Sequence, residues 1–304
     1  MSAGCVLQAR YLGYCQQTRH GSVQTAPMKQ PSSPYDMAQC RYGTMLINRF
    51  DYYIGQALLR YGEYCEHEVE LLRFFIAEPG TVVEIGGNNG SQTVALAQAA
   101  RAVGGDLVVF EPQPFLFQNL CANLALNALD NVSAWNFACA SEPGTLSFEK
   151  PDYHHLGNFG GVSLSRTQGS NTVKVPCVRL DDWVRDRPVR LMKIDVEGFE
   201  MEVLRGAAET IEVNQPVIYM ENDRLDQSAA LIRYLWQLDY RLWWHVTPLF
   251  NEANFRGERE NIYPRLYSCN MLCIPRRLEM DIRGLPEIVD ADRHPMPDKR
   301  MKTI

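Results

Sequence analysis

Several things are missing from this 304-residue chain, and each absence excludes a class of protein. No run of 18 apolar residues occurs, so no membrane-spanning helix is expected and no membrane partner with it. The first twenty residues lack the apolar stretch of a secretion signal, so a cytoplasmic location is expected. No basic surplus exists: the formal net charge is −6, which argues against a nucleic-acid partner. No two cysteines form a C-x-x-C pair, and the six histidines lack metal-ligand spacing, so a structural zinc site is not expected. The nine cysteines are odd in number, and Cys139, Cys177, Cys269 and Cys273 sit in apolar runs as reduced, buried thiols would. Finally, the chain has no G-x-G-x-x-G, the dinucleotide fingerprint.

What it does have is a regular alternation. Residues 1–40 are rich in Gln, Ser, Pro and small residues and read as a flexible tail. Residues 41–80 show helical spacing at Ile54, Leu58 and Leu59 and again at Val69, Leu72 and Phe75, predicting a helical lead-in. Strand-like and helix-like segments then alternate. The strands are TVVEIGG, DLVVFEP, NVSAWNFAC (131–139), RLMKIDVEG and PVIYMEN. Two last strands, YRLWWHV and YSCNMLCIP, are joined by a polar loop instead of a helix. Alternation predicts a parallel sheet covered on both faces, and the final pair predicts an antiparallel terminal hairpin. The expected fold is therefore α/β: a seven-stranded, mostly parallel sheet with N-terminal helices, occupying 41–276. Residues 277–304, charged and Pro-containing, read as a surface tail.

Chemistry-bearing residues gather where strands end. In Glu84-Ile85-Gly86-Gly87-Asn88-Asn89-Gly90-Ser91 a strand runs into glycines and then a helix, a place for a nucleotide-like ligand. Glu84 would repel a pyrophosphate but suit an ammonium or sulfonium. Glu111, 21 residues past Gly90 and followed by Pro112, can accept the hydroxyls of a ribose. Asp195 ends the fourth strand, at the expected topological switch point, and can hold an ammonium, take a proton or bind a cation. Glu197 and Glu200 suit the start of the next helix. Asp195, Glu221 and Asn222 form an oxygen-rich corner fit for Mg²⁺ or for plain acid–base work. His154 or His155, in the Gly-rich loop to Gly161, can serve as a general base. Asn251, Asn254, Arg256 and Asn261 can bind a polar substrate, and Trp243 and Trp244 either stack on it or face the core.

VVEIGGNNG, VVFEP, KIDVEGFEMEVLRGA and PVIYMEN together resemble the FkbM family of S-adenosylmethionine-dependent methyltransferases, and YGEYCEHEVELL resembles its lead-in helix. The third of these segments is the most specific. The resemblance runs over roughly residues 50–276. It implies a class I, Rossmann-like methyltransferase fold and O-methylation of a sugar, polyketide or related small molecule. Gly87 and Asn89 depart mildly from the family pattern. The residues it implies for cofactor binding are Glu84, Gly86, Asn88, Gly90, Ser91, Glu111, Pro112, Ala138, Cys139 and Asp195. The catalytic base would be Asp195, Glu221, His154 or His155. The implied partner is a small-molecule or glycan acceptor, with association into a homo-oligomer left open. Two other readings stand beside it: an NAD-dependent oxidoreductase, which the missing fingerprint disfavours, and a non-catalytic scaffold, which the intact glycines and Glu111 disfavour.

Overall fold

The structure, a computed structural model, describes residues 33–166 and 171–296. In chain order the elements are β1 (Tyr35–Cys40), β2 (Gly43–Asn48), α1 (Ile54–Tyr61), α2 (Glu66–Phe74), β3 (Thr81–Ile85), α3 (Thr93–Ala102), β4 (Asp106–Phe110), α4 (Pro114–Leu126), β5 (Val132–Trp135), β6 (Ala138–Cys139), β7 (Gly144–Glu149), β8 (Thr172–Val178), α5 (Asp181–Val184), β9 (Val189–Ile194), α6 (Glu200–Gly206), α7 (Ala208–Asn214), β10 (Val217–Glu221), α8 (Leu225–Gln237), β11 (Tyr240–Pro248) and β12 (Tyr267–Pro275).

Seven strands form the main sheet in the order β11-β12-β10-β9-β3-β4-β5. Only β12 runs against its neighbours, pairing antiparallel with both β10 and β11. This is the seven-stranded, mostly parallel sheet with an antiparallel terminal hairpin that the sequence predicts. The strand order reverses at β3, between β4 and β9, so the connections beyond their carboxyl ends run to opposite sides and leave a crevice there.

The strands are apolar on both faces because helices cover both. Val83, Ile85, Met192, Ile194 and Met220 pack on one face against Leu204, Ile211, Leu231 and Leu235 of α6–α8. Val82, Leu191, Tyr219 and Leu272 pack on the other against Leu58, Leu72, Leu96 and Leu120 of α1–α4. Each fully buried aliphatic side chain contributes about 1.5–3 kcal/mol. Alternation along β3 puts Glu84 on the α1–α4 face, opposite Lys193 in the β3–β9 register.

Four boundaries differ from the sequence expectation. The stretch read as tail to residue 40 ends in β1, which pairs with β2. Met45 and Ile47, expected in a helical lead-in, are buried strand residues of this hairpin. Its edge is held by asparagines of α4: Asn123 Oδ1 accepts from Leu46 N at 2.7 Å, Asn127 Oδ1 from Thr44 N at 3.1 Å, and Asn119 Nδ2 donates to Leu46 O at 2.9 Å. Residues 1–32 of that stretch lie outside the described residues.

The expected third strand breaks at residues 136–137, so Ala138 and Cys139 belong to a separate small sheet, β6-β8-β7. The expected helix at Ser91 starts at Thr93. The C-terminal stretch read as a surface tail packs on the sheet as far as residue 296, and residues 297–304 lie outside the described residues. Trp244 N donates to Pro286 O and Ile288 N to Leu242 O, and Ile288, Ala291 and Met296 are buried. β11 is an edge strand, and this segment covers its unpaired backbone. Cys40, Cys65, Cys139, Cys177, Cys269 and Cys273 are buried free thiols.

Candidate active site

The crevice at the β3/β9 switch point is built first by backbone. Gly86 has φ +92°, and a Cβ there would lie 1.8 Å from the Asp195 carbonyl oxygen. Glycine thus lets the ends of β3 and β9 close on each other, and Asp195 N donates to Ile85 O at 2.9 Å. Gly87 is needed for packing: its Cβ would meet Val109 Cγ2 at 2.4 Å and Leu120 Cδ1 at 2.6 Å. Asn88 takes φ +48° and donates its N–H to Glu111 Oε2 at 2.8 Å, while Glu111 Oε1 accepts from Gln113 N at 2.8 Å. The carboxylate therefore clamps the glycine loop to the start of α4. Burial pushes Glu111 up to about 7, although the Gln113 and Asn88 N–H groups pull it down.

A charged floor lies beneath the loop. Glu84 is 1% exposed and Lys193 3%, with Lys193 Nζ 3.7 Å from Glu84 Oε1 and 3.2 Å from Asp195 Oδ2. Burial alone would lower the lysine's pKa, but Asp195, Glu84 and Glu68 outweigh it, raise the pKa and keep the ammonium charged. Burial raises Glu84, against the pull of Lys193. Glu68 of α2 reaches the same floor, accepting from Gln92 Nε2 at 3.1 Å and Asn270 Nδ2 at 3.0 Å. Buried ion pairs are poor stabilisers compared with apolar packing, so a buried row of charges at a strand-end crevice points to binding or catalysis.

Beyond the floor stands a carboxylate corner. Asp195 and Glu221 both line the crevice, with Glu197 beside them. Glu197 adopts φ +54° and pairs with Arg224 at 3.0 Å. Glu221 is pushed well above the ordinary carboxylate range by burial, then by the charges of Asp195 and Glu197, and its Oε2 is buried with no hydrogen-bond partner. Asn222 does not complete the corner. It is 2% exposed, and its side chain contacts Met271 Sδ at 3.1 Å inside the sheet. Among the described residues no group of three or more His, Cys, Asp or Glu is arranged to hold a metal. Glu200 accepts from Gly198 N at 3.0 Å at the start of α6, the helix-start role expected of it.

The structure brings together Glu84, Gly86, Asn88, Ser91, Glu111, Pro112, Ala138, Cys139, Asp195 and Glu221 as lining of one crevice. Gly90, at φ +85°, turns the chain behind the loop instead. The histidines are not brought in. His154 and His155 are exposed, and His155 Nδ1 pairs with Asp152 Oδ2 at 2.7 Å. Phe159 buries itself and draws in the other half of that loop, where Gln113 Nε2 donates to Phe159 O and Asn158, Gly160 and Gly161 line the crevice.

The late loop serves as a brace. Asn251 Nδ2 donates to Glu63, Asn254 Nδ2 to Glu258 O, and Arg256 to Gln39 O, and Asn261 Oδ1 accepts from Tyr263 N. Trp243 and Trp244 are core residues and form no stacking wall.

Sequence reasoning missed Lys193, Glu68, Gln92, Tyr53, Tyr64, Phe137 and Ser268, all of which line the crevice. Lys193 had a signal, a lone lysine inside the apolar run LMKI. The rest arrive from segments whose sequence spacing to the motifs says nothing.

A family model for the FkbM methyltransferase domain matches residues 84–242. Methyltransferase 1 of Beauveria bassiana is 24% identical over 184 residues, covering 53% of this chain and 73% of that protein. Hexuronic acid methyltransferase AglP of Haloferax volcanii is 27% identical over 147 residues, covering 47% and 56% respectively, so the match takes in little more than half of that relative. The crystal structure of an FkbM methyltransferase from Methylobacillus flagellatus superposes with a TM-score of 0.43 at 15% identity, over 64% of this chain and 43% of that one. With more than half of its residues inside the matched domain, the chain belongs to the FkbM methyltransferase family.

Proposed function

We propose that this crevice binds S-adenosylmethionine and that the protein transfers its methyl group to a hydroxyl oxygen of a sugar-like or other small acceptor. The observation that carries this reading is Glu111. It is fixed at the carboxyl end of β4 by one backbone N–H on each oxygen, and each oxygen keeps a lone pair for a vicinal ribose hydroxyl. The rest of the donor set fits. Glu84 has a buried Oε2 without a hydrogen-bond partner, suited to an ammonium. Gly86, Asn88, Gly90 and Ser91 would shape the methionine end, and Pro112, Phe137, Ala138 and Cys139 would bound the adenine. AglP is by its name a hexuronic acid methyltransferase, which supports a hydroxyl-rich acceptor.

Bound S-adenosylmethionine supplies an electrophilic methyl on a sulfonium. The chain has to align the acceptor oxygen, exclude water and take one proton. Alignment lowers a barrier by at most about 7–11 kcal/mol, and a positioned base adds about 10²–10⁴-fold. Asp195 is the base of this reading, since it faces the crevice and is oriented by Lys193 Nζ. Glu221, lining the same crevice as Asp195 and with a buried Oε2 that lacks a hydrogen-bond partner, orients the acceptor instead.

Titration calorimetry with S-adenosylhomocysteine and, separately, NAD⁺ tests the proposal. Micromolar binding of the first alone, lost in Glu111→Ala, is the expected result. NAD⁺ binding without S-adenosylhomocysteine binding overturns it.

A further inference from the structure

The crevice has a second half that the cofactor reading leaves unused. Tyr53 and Tyr64, from either end of α1, line the same crevice as Asp195, Glu197 and Glu221, and Tyr64 is close enough to Asp195 to feel its charge. Tyr53 is a fixed platform. Its ring stacks on Tyr263 (centroids 6.2 Å apart, 29° between planes) and takes the edge of Tyr52 at 5.0 Å. The Tyr263 hydroxyl donates to the Tyr52 and Tyr53 carbonyls at 3.0 and 2.7 Å, which locks the backbone under that ring. A half-buried aromatic face with its backbone pinned is suited to the C–H face of a ring, and also to an amine cation.

The charge of this half is one-sided. With Glu84 and Glu111 given to the cofactor, the crevice still has four lining carboxylates, Glu68, Asp195, Glu197 and Glu221, and a single lysine. Lys193 is shared between Glu84 and Asp195, and the nearby Arg224 is paired with Glu197. Glu197 and Glu221 are each raised by burial and by surrounding carboxylates, and a further anion entering the crevice would meet the same repulsion. Glu221 Oε2 is buried and lacks a hydrogen-bond partner. A hydroxyl or ammonium satisfies such an oxygen, whereas a carboxylate cannot.

We propose that Tyr53 and Tyr64, set against Asp195, Glu197 and Glu221, form the acceptor subsite. It takes a hydroxylated ring that is neutral or amine-bearing and discriminates against acceptors carrying a carboxylate. The inference rests on the methyl-transfer reading and adds to it the residues and the charge rule that select the acceptor. The selecting residues Tyr53 and Tyr64 lie outside the 84–242 span of the family match. Relatives that share the matched domain can therefore differ in acceptor.

The test separates the two claims. Calorimetry with S-adenosylhomocysteine comes first, and failure to bind overturns the methyl-transfer reading and this subsite with it. With binding established, three pyranosides of one anomeric form are offered with S-adenosylmethionine: a neutral hexoside, the matching hexosaminide and the matching hexuronide. The release of S-adenosylhomocysteine is followed. The expected result is kcat/KM at least tenfold higher for the hexoside or the hexosaminide than for the hexuronide. Tyr53→Ala is expected to raise KM for the preferred sugar at least tenfold and leave the Kd of S-adenosylhomocysteine within twofold, with Tyr53→Phe restoring KM. A hexuronide used equally well or better overturns the charge rule. Cofactor binding without turnover of any of the three overturns the ring-binding subsite. Equal losses of cofactor and acceptor affinity in Tyr53→Ala remove Tyr53 from the acceptor side.

Discussion

The two ends of the crevice are made in different ways. The end at β3, β4 and β6 is made mostly of main chain: glycine turns, backbone N–H groups on Glu111, and strand ends in fixed register. The end at α1, α2 and Ser268 is made of side chains delivered from segments far apart in sequence. Lys193, on β9 beside β3, stands between them, in contact with Glu84 and Asp195. A backbone-built site tolerates little change and leaves a local motif. A side-chain-built site is free to vary and leaves none. Specificity is expected in the second and the shared chemistry in the first.

The largest effect is expected where the two ends meet. Lys193→Met leaves Glu84 buried without its cation, and breaking a buried pair costs about 3–5 kcal/mol. Urea denaturation should show that loss, and Lys193→Met combined with Glu84→Gln should recover more than half of it. Equal losses in the single and double variants would mean that the floor is held by packing and not by charge.

Next comes Gly86→Ala. The new methyl would meet the Asp195 carbonyl oxygen, a backbone atom with no rotamer to escape into. A loss of about 2–4 kcal/mol is expected. Gly104→Ala is the comparison, since Gly104 also has positive φ (+77°) but nothing within 4 Å, and should lose only about 1 kcal/mol. Similar losses at both sites would show that backbone angle, not the convergence of β3 on β9, is what Gly86 supplies.

A third effect is a slope against pH. Glu111 is raised to about 7 in the folded protein by burial, from an ordinary value of 4.5. Between these values the folded protein keeps a proton that the unfolded chain releases, so stability falls as pH rises from about 4.5 to 7. Glu111→Gln cannot ionise, and its stability should fall less over that window by an amount on the order of 2–3 kcal/mol. Asp51 and Glu66, also raised to about 7 by burial, contribute falls of the same sign and keep the variant's profile from becoming flat. An unchanged difference between wild type and variant from pH 4.5 to 7.5 would contradict the burial of Glu111.

How much was legible follows from the same contrast. The sheet, its reversed last strand, and Glu84, Gly86, Glu111 and Asp195 could be read because strand–glycine–helix junctions write themselves as contiguous motifs. The β1–β2 hairpin could not, because its partner groups are asparagine side chains of α4, nearly 80 residues away. The packed segment 286–296 reads as polar and charged, and only its backbone pairing along β11 makes it structural. Tyr53, Tyr64 and Glu68 looked like helix residues with ordinary spacing, and nothing local says that the start of α1 and the α1–α2 junction lie over a crevice. Asn222 was misplaced for a related reason: it follows Glu221 at a strand end, where successive side chains point to opposite faces.

The smallest expected effect comes from the histidines. By residue type alone, His154 and His155 were the natural general bases, one residue apart in a glycine-rich loop. Their placement argues otherwise. Both are exposed, neither lines the crevice, and His155 already pairs with Asp152 in open solvent, where such pairs contribute about 0–1 kcal/mol. His154→Ala and His155→Ala should each change stability by less than about 0.5 kcal/mol, as surface substitutions do. With any acceptor that the enzyme turns over, kcat should stay within twofold of wild type for both. The same assay on Asp195→Asn should lose at least about 10²-fold, the low end of what a positioned base supplies. If instead a histidine variant loses that much and Asp195→Asn does not, the loop must swing over the acceptor end during turnover. Proton transfer would then belong to a movable segment, and the division between a backbone-built end and a side-chain-built end would no longer describe how the crevice works.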